Sequence, residues 1–284
     1  MKNNKSGKNN ISLKRSVASN KSVLVSSKKS IPKSTPRITP GNSPEKYADF
    51  IYGVHAALEA LQAKRRKISM VYTTKAPVKS WPAIQELLPK HIPIQFVTRE
   101  VLENMTGSTD HQGIVLFVSP FPFEKNMFEP QKFPFLVVLD GVQDVRNLGA
   151  IIRSAYCTGV DGIVLCSKNS APLTSAAIKA SAGLSEHARI FIAPSMGFVM
   201  QELKNRGYGI YLATLGAGEN ASTVEFKSPA ALVIGSEESG VSKEVLKYGT
   251  RILLPQRRAD ISYNASVAAG ILMFLMGNQF KKIQ

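Results

Sequence analysis

Asn147 and Arg153, six residues apart, follow a run with no polar residue at all, Phe135-Leu136-Val137-Val138-Leu139. Five consecutive apolar residues without alternation suit a parallel strand covered on both faces. Asp140-Gly141 ends that strand in a turn, and Asn147 stands where a helix N-cap is expected, ahead of an apolar-periodic run reaching Gly159. Strand, polar loop and helix start form an open α/β site, where backbone N–H groups and the positive end of a helix dipole face a crevice. Arg153 comes close to two turns after Asn147, so its side chain is expected back at the same mouth; the plain alternative is a surface cation. Two later segments add polar groups of the same kind. Leu232-Val233-Ile234-Gly235 is another buried strand, ending in the acidic, Gly-rich loop Ser236-Glu237-Glu238-Ser239-Gly240. Ile252-Leu253-Leu254-Pro255 is a third, followed by the polar loop Ile261-Ser262-Tyr263-Asn264 and a helix of small residues.

Elements to hold these groups recur along the chain. Strands are expected at Leu136–Leu139, Gly162–Cys166, Ile190–Ile192, Ile210–Thr214, Leu232–Ile234 and Ile252–Leu254, with helical stretches between most of them. That alternation belongs to a parallel sheet of the α/β class. It gives no function by itself. GxGxxG after the first strand, GxxxxGK[ST] and GxSxG are all absent, which counts against dinucleotide, P-loop and hydrolase readings. Leu215-Gly216-Ala217-Gly218 is a Gly-rich turn after the fourth strand, weak alone. Cys157 and Cys166 have no metal-ligand spacing and read as reduced core thiols, and the four histidines form no metal set with them.

Residues 50–118 read as a smaller α/β unit: helix Gly53–Leu61, strand Lys67–Tyr72, helix Ser80–Leu88, strand Ile94–Val97, helix Arg99–Met105 and strand Ile114–Val118. A proline-rich connector follows. The boundaries expected are a basic tail at 1–46, a small domain at 47–119, a linker at 120–133 and a larger domain at 134–284. Net charge is +16, and the first 44 residues, with ten Lys or Arg and no acid, supply +10 of it. Such a tail is expected to be disordered and attracted to polyanions. It also shares features with organellar transit peptides, although Lys outnumbers Arg and no amphipathic helix is evident. No apolar run reaches the length of a membrane-spanning helix. A cytoplasmic location is expected, an organellar one being the alternative.

The segments around Asn147 and Arg153, Gly235 to Ser242, and Leu254 to Ser266 resemble, in order and spacing, the three motifs of the SpoU (TrmH-like) family of RNA ribose 2'-O-methyltransferases. Tyr52-Gly53-Val54-His55-Ala56 and His111-Gln112-Gly113-Ile114 resemble the ends of the L30e-like substrate-binding domain that precedes many of its catalytic domains. The resemblance implies a trefoil-knotted catalytic domain, a homodimer, S-adenosylmethionine as methyl donor and RNA as partner, without metal. The small domain favours a guanosine of 23S ribosomal RNA; transfer RNA, or a non-catalytic assembly factor on the same fold, are the alternatives. By resemblance Arg153, Asn147, Glu237, Ser262 and Asn264 are the catalytic set. Thr214, Leu215, Gly216, Gly218, Gly235, Leu254 and Tyr263 match the donor-binding positions, with Gly235 read as leaving room for the ligand. Tyr263 and Ala265 depart from the usual Ser-Leu-Asn-Val-Ser of the third motif. Lys64, Arg65, Arg66 and Lys67 are the expected RNA phosphate contacts. By resemblance the small-residue helix Ser266 to Phe274 is the dimer contact, the plain alternative being a helix packed within the chain.

Overall fold

The computed structural model describes residues 50–284 apart from positions 77, 259 and 260; the expected basic tail lies outside the described residues. The smaller lobe runs β1 (Phe50–Tyr52), α1 (Val54–Ala63), β2 (Ile68–Thr74), α2 (Trp81–Leu87), β3 (Ile94–Val97), α3 (Arg99–Thr106) and β4 (Ile114–Val118). Its sheet has the order β1-β4-β2-β3, with β4 antiparallel to both neighbours and β2 parallel to β3. The short β1 precedes the first expected element. It pairs Ile51 with Leu116, and both are fully buried.

The larger lobe contains β5 (Phe135–Asp140), α4 (Val145–Cys157), β6 (Gly162–Cys166), α5 (Ser175–Ala180), β7 (Ile190–Ala193), α6 (Met196–Asn205), β8 (Gly209–Ala213), β9 (Glu219–Asn220), β10 (Ala230–Gly235), β11 (Thr250–Leu253) and α7 (Ala265–Gln279). Its seven strands are all parallel, in the order β7-β6-β5-β10-β8-β11-β9. Every residue of the two central strands β5 and β10 is buried. That burial on both faces is why their sequences show no alternation. The two-residue β9 went unexpected because an exposed Glu-Asn pair carries no strand signal.

The lobes share one continuous apolar core, from Ile51 and Ile84 through Phe135 and Ile151 to Met276. Arg65 and Arg66 close the seam. Arg65 donates to the carbonyls of Glu186 (3.2 Å), Ala188 (2.6 Å) and Pro122 (3.3 Å). Arg66 donates to the Ser119 carbonyl at 2.7 Å and pairs with the Glu186 carboxylate at 3.1 Å, both side chains out of reach of water. Glu59 meets His187 at 2.8 Å beside them. Gly183, at φ +85°, lets the turn after α5 press on α1, since a Cβ there would lie 2.6 Å from Ala56 Cα. The connector 120–133 forms neither helix nor named strand, as its prolines require, but it is no free linker. Phe121, Met127 and Phe128 are buried, and the Glu124 N–H donates to Ile190 at 2.8 Å.

Three expectations need correction here. The N-cap of α4 is Asp144, whose carboxylate accepts from the Arg146 N–H at 2.6 Å; Asn147 lies inside the first turn, its side chain free for other work. Arg65 and Arg66 are bound to protein atoms, so of the basic cluster only Lys64 and Lys67 are exposed. Cys166 is a buried thiol, pushed up to about 11 by burial and by the nearby Asp140 and Glu244, but Cys157 is exposed on α4.

Candidate active site

A cleft of roughly 780 Å³, counted with its open mouth, lies at the carboxyl ends of β8, β10 and β11, against the start of α7. Side chains leave a parallel sheet there on loops, and helix N-termini face the opening. Thr214, Leu215, Gly235, Glu237, Leu254, Ser262 and Tyr263, all singled out from the sequence, line it. Gly216 and Gly218 belong to the same turn as Thr214, outside the lining, and both have positive φ. Thr214 fixes that turn by donating its hydroxyl to the Ala217 carbonyl at 2.7 Å. Leu215 is 66% exposed and Tyr263 43% exposed, so two apolar walls stand open to water at the mouth.

Gly235 owes its identity to the chain rather than to a ligand. A Cβ there would lie 1.9 Å from the Gly240 carbonyl carbon. The acidic loop folds back over it, with Ser236 and Gly240 exchanging two backbone hydrogen bonds at 3.0 Å. Ser242 then donates its N–H to Asp140 at 2.7 Å, tying the loop to the end of β5.

That loop presents Glu237 to α4 and α7. Asn147 donates through Nδ2 to Glu237 Oε1 at 2.8 Å, and the Gln143 N–H donates to Oε2 at 3.4 Å. Asn264 donates through Nδ2 to Asn147 Oδ1 at 3.2 Å. The other end of Asn264 caps α7, its Oδ1 accepting from the Ser266 N–H at 2.9 Å and the Ser266 hydroxyl at 2.6 Å. Burial alone would raise the Glu237 carboxyl, but the Asn147 and backbone donors outweigh it and hold the group below the usual carboxylate range. The chain Glu237–Asn147–Asn264 therefore joins three segments that are about 90 and 117 residues apart in sequence.

Arg153 does not join it. Six helical residues amount to roughly 600° of rotation, which carries a side chain well off the face of Asn147. Arg153 is exposed on α4 beside Tyr156 and Cys157, with no hydrogen bond or ion pair among the described residues. Sequence reasoning missed the inner wall of the cleft: Ala265, Ala268 and Leu272 of α7, spaced to share one helix face, and Ile234 and Ile252 beneath them. Their spacing was the available signal, read instead as a helix-packing surface. No group of three metal-ligating side chains and no helix long and apolar enough to cross a membrane occurs among the described residues.

A parallel sheet whose strand ends carry a partly apolar cleft beside a polar network is the arrangement of an α/β ligand site. Residues 134–274 match the SpoU rRNA methylase family, and residues 50–124 match the RNA 2'-O ribose methyltransferase substrate-binding family. YacO of Bacillus subtilis, named for the TrmH family of tRNA/rRNA methyltransferases, is 34% identical over 80% of this chain and 94% of its own. The 23S rRNA (guanosine-2'-O-)-methyltransferase RlmB of Shewanella oneidensis is 31% identical over 81% of this chain and 96% of its own. In three dimensions the fold is similar to that of AviRb from Streptomyces viridochromogenes, a SpoU methyltransferase solved with AdoMet, at a TM-score of 0.69 and 20% identity, covering 82% of this chain and 90% of that one. The chain belongs to the SpoU family of RNA methyltransferases.

Proposed function

We propose that this protein transfers a methyl group from S-adenosylmethionine to a ribose 2'-hydroxyl of RNA, with a guanosine of 23S ribosomal RNA as the target. The observation that carries the reading is the juxtaposition of the apolar, backbone-lined cleft with the Glu237–Asn147–Asn264 network. The cleft suits such a donor. Leu215, Leu254, Leu272 and Tyr263 would offer apolar faces to an adenosine, and Glu237 and Glu238 bring negative charge that would suit a cationic donor. The match to a guanosine-specific relative along 96% of its length supports the choice of target.

The bound donor supplies an electrophilic methyl with a good leaving group, so the protein's share is alignment and proton management. Asn147 and Asn264, tied to Glu237 and to the α7 cap, fix the polar network beside the cleft in one geometry. Ser262 sets a hydroxyl in the cleft with no hydrogen-bond partner among the described residues. A guanidinium offers donors and no acceptor, so the part of Arg153 in this reading is to orient the hydroxyl.

The active form is a homodimer in this reading. Val267, Ile271 and Phe274 recur at i, i+4 and i+7 on α7 and stay exposed, Phe274 by 54%. Gly270 of the same helix faces Ser154, next to Arg153, so pairing through this face would bring Arg153 into the interface. The knotted threading implied by the resemblance is consistent with the β10–β11 loop lying over the end of β5, where Ser242 meets Asp140. A cytoplasmic setting agrees with two unpaired cysteines.

Arg153→Ala tests the chemistry. Methyl transfer should fall at least ~100-fold, the scale of losing one stabilising group at a reaction centre, while RNA affinity changes less than about threefold. A parallel fall of both would reduce Arg153 to a phosphate anchor.

A further inference from the structure

We propose that the small lobe holds a single unpaired nucleotide of the RNA in a second cleft, remote in sequence from the methyl-transfer site. The inference rests on the RNA reading above. The cleft, about 880 Å³ with its open mouth, lies between the end of α1, the start of β2 and the turn after α2. Its floor is apolar, made of Leu61, Ile68, Leu87 and Ile92, and Lys64 and Lys67 stand exposed at its rim.

This arrangement follows from the splitting of the basic cluster. Lys64 is the left-handed C-cap of α1, at φ +54°, which turns the chain sharply and separates its side chain from those that follow. Arg65 and Arg66 then turn inward to the lobe seam, leaving Lys64 and Lys67 as the exposed cations of the lining. A surface that only attracted RNA backbone would not need an apolar floor. An apolar floor below two ammonium groups fits a base laid flat with its phosphates against the lysines, the form in which unpaired RNA is bound. His91 adds an imidazole ring to the lining.

The seam gives the site its consequence. Arg66 lines the cleft on one side and holds the buried Glu186 of the larger lobe on the other. A nucleotide gripped here is thus set in fixed register with the catalytic cleft, as a specificity-determining contact should be.

The test uses the full-length chain, a fluorescent single-stranded oligoribonucleotide and the duplex of the same sequence. Lys64→Gln/Lys67→Gln should weaken single-strand binding about tenfold and lower the slope of log affinity against log salt by roughly 1.4, the amount expected for two lost phosphate contacts on a single strand. Ile92→Trp, which fills the floor without altering charge, should weaken single-strand binding while leaving the salt slope and duplex binding unchanged. KM for RNA should rise in both variants with kcat retained, and thermal unfolding should confirm that both are folded. Unchanged single-strand affinity in Ile92→Trp, or equal losses for single strand and duplex, would overturn the nucleotide site. Wild-type protein that binds the oligonucleotide in this pattern but methylates no RNA would keep the cleft and sink the methyltransferase reading.

Discussion

Glu237 shows at the residue scale how position rather than identity makes the site. Its carboxylate would be an ordinary loop acid, but Asn147 and backbone N–H groups bind its ionised form and hold its titration below the usual range. A carboxylate with a depressed folded value contributes stability above the unfolded value, near 4.5, and loses that contribution as pH falls through the folded one. Glu237→Gln should therefore lower Tm at neutral pH and converge with the wild type as pH falls below about 4.5, flattening that part of the Tm–pH curve. A wild-type curve identical to that of the variant would show that the network is not held in solution. The polar residues themselves were legible in the sequence, because Asn147, Glu237, Ser262 and Asn264 sit in loops between buried strands. Their partnership was not. Hydrogen bonds across about 90 and 117 residues leave no local trace. Arg153 marks the limit of counting in turns, since six helical residues leave its side chain on another face of α4 from Asn147.

Among the elements, strands β5 and β10 were readable because full burial removes the alternation that would blur them, and both strand-end loops followed from Gly and Asp at the turns. Less legible was the inward face of α7. Ala265, Ala268 and Leu272 line the cleft while Val267, Ile271 and Phe274 face out, so the helix is apolar on nearly every side and its periodicity points nowhere. Charge misled at the seam between lobes. A run of four cations reads as a solvated helix end or an RNA contact, yet its two inner members are anchored by Glu186 and by four main-chain carbonyls. Removing one partner of a buried ion pair strands the other, so Glu186→Ala should destabilise the protein by about 3–5 kcal/mol. Urea unfolding measures this, and a loss below ~1 kcal/mol would mean that Arg66 finds water in the folded state.

Across the whole molecule, the two lobes act as one core, with the small lobe clamped in register against the catalytic sheet. The α/β class and the order of its two lobes were visible in the alternation of elements, but the packed character of residues 120–133 was not, since prolines announce only what a segment cannot form. Association is the next level. Placing charge in the exposed stripe of α7, as Val267→Asp/Phe274→Asp, should convert a dimer to a monomer of about 31 kDa in sedimentation equilibrium and abolish methyl transfer. A wild type already monomeric would remove the dimer from the account. The most direct test of the central claim is to incubate the full-length protein with labelled S-adenosylmethionine and separate preparations of 23S, 16S and transfer RNA lacking ribose methylation, and to map the labelled nucleotide. Label on the ribose 2'-oxygen of one 23S guanosine is the result predicted; label on transfer RNA alone would move the target, and no label on any RNA, with no binding of the donor, would contradict the methyltransferase assignment.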